Sequence, residues 1–291
     1  AMARLSTPAS LEELKELLAQ EETRLVAGGT DWFVREPREL PDNRILVDLS
    51  GIPELRGVTL EGREEEKILR IGAGETMTAL SQNAWVRASA LCLADSAARV
   101  GSWQIRNRAS LGGNLAGGSP AADTPPALCA LGASAVILSP RGTRETPVAE
   151  LVDRAAKGEK ALAPDEAFVA FLLPVLPGRV SAFGKVGSRR EVTIARLNLA
   201  AAARFDGERF SDARVFLGTL GSAGRRAAEA EHVLETAEPE VRTGAFCEAL
   251  ANEVDAAIPG RSTRPYKRSA VRALGEDILG ALLKRSREVR L

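Results

Sequence analysis

A chain of 291 residues with 45% hydrophobic and 27% charged side chains has the composition of a globular protein of two or three structural units. Its 39 basic residues balance 39 acidic ones, which argues against a nucleic-acid or anionic-membrane footprint; no apolar run approaches the roughly 20 residues of a membrane span. Cys92, Cys129 and Cys247 are odd in number and never spaced Cys-x-x-Cys, which argues against a zinc ribbon or a self-contained iron–sulfur site. Free thiols and no signal-like leader give a cytoplasmic expectation.

The first element in chain order is a helix. Ser10-Leu11-Glu12-Glu13 fits a capping box, and Leu11, Leu14, Leu17 and Leu18 form one helical stripe. Residues 24–27 predict a short strand, Pro37 and Pro41 interrupt the chain, and residues 45–49 predict a buried strand. Residues 55–60 and 68–71 predict a hairpin turning near Gly62. Helices are expected over 78–87 and 91–100, followed by a long glycine-rich loop. Residues 133–138 and 168–173 are strand-like, with a turn at Arg141-Gly142 after the first, and Pro174, Pro177 and Gly178 mark a boundary. Beyond it, 197–205 and 209–217 predict a hairpin closed at Asp206-Gly207, and 225–236, 241–257 and 269–285 read as helices. Strands followed by helices suit an α+β unit of its own, so the expected units are 1–54, 55–177 and 178–291.

The most telling stretch is 101–123, GSWQIRNRASLGGNLAGGSPAAD, too polar and glycine-rich for a core element. Glycine lacks a Cβ, so main-chain N–H groups can approach a ligand closely. Ser110, Gly112, Gly113 and Asn114 make the residue set of a phosphate cradle, and Asp123 adds an acceptor past a Ser119-Pro120 turn. A second loop of the same chemistry, Ala27-Gly28-Gly29-Thr30-Asp31, follows an apolar run. Two such loops suggest one elongated anionic ligand, although neither spells the Gly-x-Gly-x-x-Gly of a Rossmann fold. Plainer roles stand beside these: Thr30 or Asp31 capping a helix, and Asp123 as an N-cap before Pro125 and Pro126. Arg106 and Arg108 read as phosphate neutralisers, subunit contacts or ordinary surface. With one histidine, His232, and one tyrosine, Tyr266, side-chain acid–base catalysis is poorly provided for. An enzyme built this way would leave the hard chemistry to a cofactor.

AGGTD at 27–31, QIRNRASLGGN at 104–114 and SPAAD at 119–123 resemble the FAD-binding medium subunits of molybdenum hydroxylases, the group of the xanthine dehydrogenase and carbon monoxide dehydrogenase flavoproteins. FGKVGSRRE at 183–191 and RPYKRSAVRAL at 264–274 resemble that family's C-terminal domain. The resemblance implies an α+β chain: a vanillyl-alcohol-oxidase-type FAD-binding fold of two subdomains, plus a C-terminal α+β domain with a small antiparallel sheet and helices. It implies that Val26, Ala27, Gly28, Gly29, Thr30 and Asp31 wrap the pyrophosphate of FAD through main-chain donors. Ser110, Gly112, Gly113 and Asn114 would form the opposing wall. Asp123 would accept from the flavin half, and Val169 and Lys185 would lie near the isoalloxazine ring, although a lysine at such a position is as readily a solvated one. Where family members often carry a tyrosine shortly past the Lys185 position, this chain has Glu191-Val192-Thr193. The implied function is electron transfer: a molybdopterin-binding large subunit oxidises substrate, a 2Fe–2S small subunit carries electrons, and the flavin here passes them to NAD, a quinone or oxygen. The alternative is a stand-alone flavin-dependent oxidoreductase of the same fold, which would need a substrate-side acid or base.

Overall fold

A computed structural model describes residues 4–35, 44–63, 66–189, 191–221 and 224–288. The N-terminal strands β1 (Arg4–Ser6), β2 (Thr23–Val26) and β3 (Ile45–Asp48) form a parallel sheet in the order β1-β3-β2. Helix α1 (Leu11–Leu18) crosses between the first two strands. Its cap is a shifted capping box: Ser10 Oγ accepts from Glu13 N at 3.2 Å, while Glu13 Oε2 accepts from Ala9 N at 2.8 Å, one residue before the cap. The leucine stripe buries Leu14, Leu17 and Leu18 against Val47 and Ile52, and the same cluster takes in Leu138 and Val169 from the next sheet. That shared core fixes one unit on the other. A four-residue helix, α2 (Trp32–Arg35), follows the first glycine loop; Pro37 and Pro41 lie outside the described residues.

The second sheet is antiparallel, in the order β4-β5-β8-β6-β7, from β4 (Val58–Glu61), β5 (Lys67–Gly72), β6 (Ser134–Ser139), β7 (Gly142–Pro147) and β8 (Ala167–Val175). Between β5 and β6 the chain inserts α3 (Met77–Gln82), α4 (Ala84–Ser89), α5 (Leu91–Ala98), α6 (Trp103–Arg106), α7 (Leu111–Ala116) and α8 (Thr124–Ala130); α9 (Val148–Ala156) joins β7 to β8. The third sheet, β12-β11-β10-β9, is also antiparallel: β9 (Arg179–Gly187), β10 (Ala195–Phe205), β11 (Phe210–Gly218) and β12 (Arg225–Arg226). Helices α10 (Ala228–Thr236), α11 (Pro239–Ala257) and α12 (Arg264–Glu288) cover one face. Alternation along β10 decides what meets what. Leu197, Leu199, Ala201 and Ala203 pack on those helices, while Ala200 and Ala202 join the core of the second unit.

Several expectations need correction. The strand expected to begin at Leu55 begins at Val58, because Leu55 ends a 3-10 turn and is buried. The single helix expected over 78–87 breaks at Asn83, whose Oδ1 accepts from Trp85 and Val86 N–H groups and starts a second helix. Residues 101–123 are not a loop outside the core: they hold two short helices, with Leu111 fully buried and Leu115 nearly so. The helix expected from 225 starts at Ala228, after an edge strand at Arg225–Arg226, and α12 runs longer than expected at both ends. Strands β1 and β7 and helix α9 had no expectation.

Candidate functional site

Strand β2 delivers the chain to Ala27, and the loop that follows turns through Gly29 at a left-handed φ of 73°. Gly28 presses against the other glycine-rich segment: a Cβ there would lie 1.9 Å from the Arg108 carbonyl oxygen. Two cavities, of about 650 and 390 Å³, meet at this contact, and both are lined by Leu25, Ala27, Gly28, Ser110, Gly113 and Ala116. Together they make one elongated cleft with a waist. Val26, Gly29, Thr30, Asp31, Asn114, Asp123 and Lys185 line the larger part, and Gly112 the smaller. Val169 is the exception. It lines neither cavity; it is buried in β8, and its carbonyl accepts from Ala73 N at 2.8 Å.

The two loops reach the waist with different donor inventories. Among the described residues, no hydrogen bond engages the main-chain N–H groups of Gly28, Gly29 or Thr30. In the second segment the donors are spent inside the protein. Gly112 N–H goes to Ala73 O at 2.8 Å, Gly113 N–H to Ser110 Oγ at 3.2 Å and Asn114 N–H to Ser110 O at 2.9 Å. Ser110 thereby caps α7, and Asn114 Oδ1 accepts from Thr124 Oγ1 at 2.6 Å. Gly112, Gly113 and Asn114 therefore form a wall whose donors are committed within the protein, whereas those of residues 28–30 are not. Arg106 likewise donates to the carbonyls of Val100 and Gly101, holding a local turn, whereas Arg108 lines the smaller cavity.

At the far end of the larger cavity, Asp123 does not cap α8 with its side chain. Its Oδ2 accepts from Lys185 Nζ at 2.5 Å, its Oδ1 from Asn198 Nδ2 at 3.1 Å, and Lys185 also donates to Arg99 O at 2.9 Å. Both charged side chains are almost wholly buried, so Lys185 is not a solvated strand lysine. Burial pushes the Asp123 carboxyl above the ordinary aspartate value, against the opposing pull of Lys185 and Asn198. Each carboxylate oxygen keeps a further lone pair for a ligand donor. The strand pairing Asn198↔Lys185 between β10 and β9 sets this arrangement.

Residues 1–176 match the family of FAD binding domains in molybdopterin dehydrogenases, and residues 182–281 match the C-terminal domain of carbon monoxide dehydrogenase flavoproteins. The chain belongs to this flavoprotein family. Its FAD-binding members include the xanthine dehydrogenase FAD-binding subunit of Escherichia coli O157:H7, 29% identical over 275 residues and covering 93% of this chain and 92% of that one. The nicotinate dehydrogenase FAD-subunit of Eubacterium barkeri is 32% identical over 206 residues, 68% of each chain. Carbon monoxide dehydrogenase from Hydrogenophaga pseudoflava, in a form lacking the Mo-pyranopterin moiety, superimposes with a TM-score of 0.84 at 26% identity over 98% of both chains. FAD is thus the cofactor of this oxidoreductase family, and the cleft fits it. Unengaged N–H groups sit beside a backbone contact that leaves no room for a Cβ, with a cavity on either side for the two halves of a dinucleotide. Where the flavoprotein resemblance leads one to expect a tyrosine, Val192, Thr193 and Ile194 line the larger cavity. Sequence reasoning missed these residues as part of the cavity walls, along with Trp32, Arg24 and Arg56. They come from separate elements, and no local motif marks them.

Proposed function

We propose that this chain is the electron-transfer subunit of a molybdenum hydroxylase complex, taking electrons from iron–sulfur clusters of a small partner subunit and delivering them to NAD, a quinone or oxygen. Substrate oxidation then belongs to a molybdopterin-binding large subunit. The observation that carries the reading is the waist at Gly28, where free main-chain donors stand between two cavities. The naming of the Escherichia coli relative as one subunit of xanthine dehydrogenase supports an assembly. So does the absence of the one histidine and one tyrosine from the cleft: among the described residues neither His232 nor Tyr266 lines it. The same fact disfavours a stand-alone oxidoreductase.

Bound flavin supplies the uptake of electrons and their release as a hydride. The chain supplies position and field. Residues 28–30 hold the diphosphate through main-chain N–H groups, Asp123 accepts from the flavin half, and the buried Lys185 ammonium sets the local potential beside it. Ile194, 80% exposed at the cavity edge, borders the opening. The division into units 1–54, 55–177 and 178–291 is part of this reading, each unit built round its own sheet. The three buried free thiols support a cytoplasmic setting. Purification from the native host tests the proposal: three polypeptides should co-purify, and this chain alone should be yellow yet inert toward substrate. Full substrate turnover by the lone chain overturns it.

A further inference from the structure

Directly paired positions on three strands, Lys185 on β9, Asn198 on β10 and Gly218 on β11, form one cross-strand row behind the larger cavity. Alternation turns Asn198 to the same side as Ala200 and Ala202, toward the second unit, and it is the polar member of that series, wholly buried. Its Nδ2 spans the boundary between units, donating to Ala122 O and to Asp123 Oδ1, both at 3.1 Å. Lys185 holds the other carboxylate oxygen, so neighbouring strands grip Asp123 by both oxygens. Asn198 itself lines neither cavity.

The grip is unfavourable in one respect. Asn198 Oδ1 is buried without a hydrogen-bond partner. It faces Gly218, where a Cβ would stand 1.9 Å from that oxygen, so the amide fits only because its cross-strand neighbour is glycine. A flipped amide would set Oδ1 against the Ala122 carbonyl and the Asp123 carboxylate, which leaves a single orientation. An aliphatic side chain would avoid the unpaired oxygen, and a tie between units needs only the bond to Ala122 O. What the amide adds is a second donor to Asp123. Burial raises that carboxyl, and Lys185 from β9, Asn198 from β10 and Arg99 after α5 oppose the rise.

We propose that Asn198 is a positioning residue for electron transfer: by fixing Asp123 Oδ1 it keeps the carboxylate charged, turns its remaining lone pairs to the larger cavity, and so holds the reduction potential of bound FAD low. The inference rests on the FAD reading, with Asp123 on the flavin side of the cleft. A fixed negative charge there disfavours the electron-rich reduced flavin. Without the amide the carboxyl gains a proton or turns away, the Lys185 ammonium loses its counter-charge, and both changes favour the reduced form.

Redox titration of the FAD-loaded full chain at neutral pH, followed by flavin absorbance, tests this. Asn198→Leu removes the donor and the unpaired oxygen together at similar volume. Its midpoint should shift positive, the reduced-to-oxidised ratio at a fixed potential rising about tenfold, or about 30 mV for a two-electron couple. Should that variant fail to fold, Asn198→Ala gives the same reading, since alanine already stands at positions 200 and 202 of this face. Gly218→Ala, which drives a methyl into Oδ1 and keeps the asparagine, should shift the potential the same way. A lower melting temperature with an unchanged potential reduces Asn198 to a tie between units and overturns the proposal, as does a negative shift. If the unaltered chain takes up no FAD, the functional reading beneath it fails instead.

Discussion

At Gly28 the constraint is contact between two backbones, and at Gly113 it is not. A methyl on Gly28 meets the Arg108 carbonyl oxygen at 1.9 Å, whereas a Cβ on Gly113 meets only Ser110 Oγ, at 2.9 Å. Gly28→Ala should therefore push the loops apart, destabilise the chain by at least about 2 kcal/mol and abolish flavin retention. Gly113→Val should fold, with a lower flavin-to-protein absorbance ratio and a smaller loss in thermal stability. Equal losses in the two variants would contradict the assignment of the waist. The buried pair behind the cleft makes a separate prediction. Asp123→Asn strands the Lys185 ammonium and should cost about 3 kcal/mol in a denaturant melt. Lys185→Met should cost less, because the Asp123 carboxyl, already raised by burial, can take up a proton. In that variant the folded carboxyl lies still higher than the unfolded one. Its contribution is present below the ordinary aspartate value and lost as pH rises through the folded value, so the variant should weaken from acid toward neutral pH. A flat pH profile would remove the argument.

Elements were legible where the pattern was local. The leucine stripe of α1 and the Asp206-Gly207 hairpin, where Asp206 Oδ1 accepts from Glu208 and Arg209 N–H groups, emerge where their residues place them. Strand β7, with four exposed residues in six, had no such signature, whereas helix α9 carries one, Val148, Leu151 and Val152, that went unread. The glycine-rich stretch misled in a different way. Its composition suits an exposed loop, but Gly112 is small because Ala73 and Phe168 pack on it, and α7 forms beneath the cleft. The first loop, Asp123 and Lys185, which the family resemblance singled out, line the larger cavity, whereas Val169 lies in the core and the smaller cavity went unseen. Its wall comes from the turn after α6, the β2 strand and the segment before β8, which only the folded chain assembles. That last segment rests on Glu166, which accepts from Ala163 N at 2.9 Å and from Arg144 on β7. Burial pushes its carboxyl up, but these donors outweigh that and hold it below the ordinary glutamate value. A lowered carboxyl stabilises above its unfolded value and ceases to as pH falls through the folded one. Acid melts should accordingly steepen below about pH 4, and Glu166→Gln should flatten that limb. An unchanged acid limb in the variant would show that the clamp carries no stability.

On the scale of the whole molecule, the larger cavity depends on a domain that contributes few of its residues. Lys185 reaches the cleft from β9, and β9 is fixed at its other end by the last turns of α12. There Arg285 donates to Ser181 O and, at 2.9 Å, to Asp95 Oδ2 on α5, while Ser181 Oγ accepts from Cys92 N at 3.1 Å. Ser181 and Lys185 are four residues apart on one strand and so share a face. The clamp therefore transmits the placement of the C-terminal helices to the ammonium beside Asp123. Arg285 lines neither cavity, which separates positioning from contact. Arg285→Met keeps the aliphatic stem and removes the donors, leaving Ser181 O and Asp95 short of a partner at a cost of about 1–3 kcal/mol. If β9 is positioned this way, the variant should lose flavin affinity along with stability, and proteolysis should cut between β8 and β9 faster than in the unaltered chain. Bound FAD should slow that cleavage in both proteins, because a ligand spanning the units favours the closed arrangement by mass action. A variant that is less stable but binds FAD with unaltered affinity would reduce Arg285 to a structural contact and leave Lys185 positioned by the β9–β10 pairing alone.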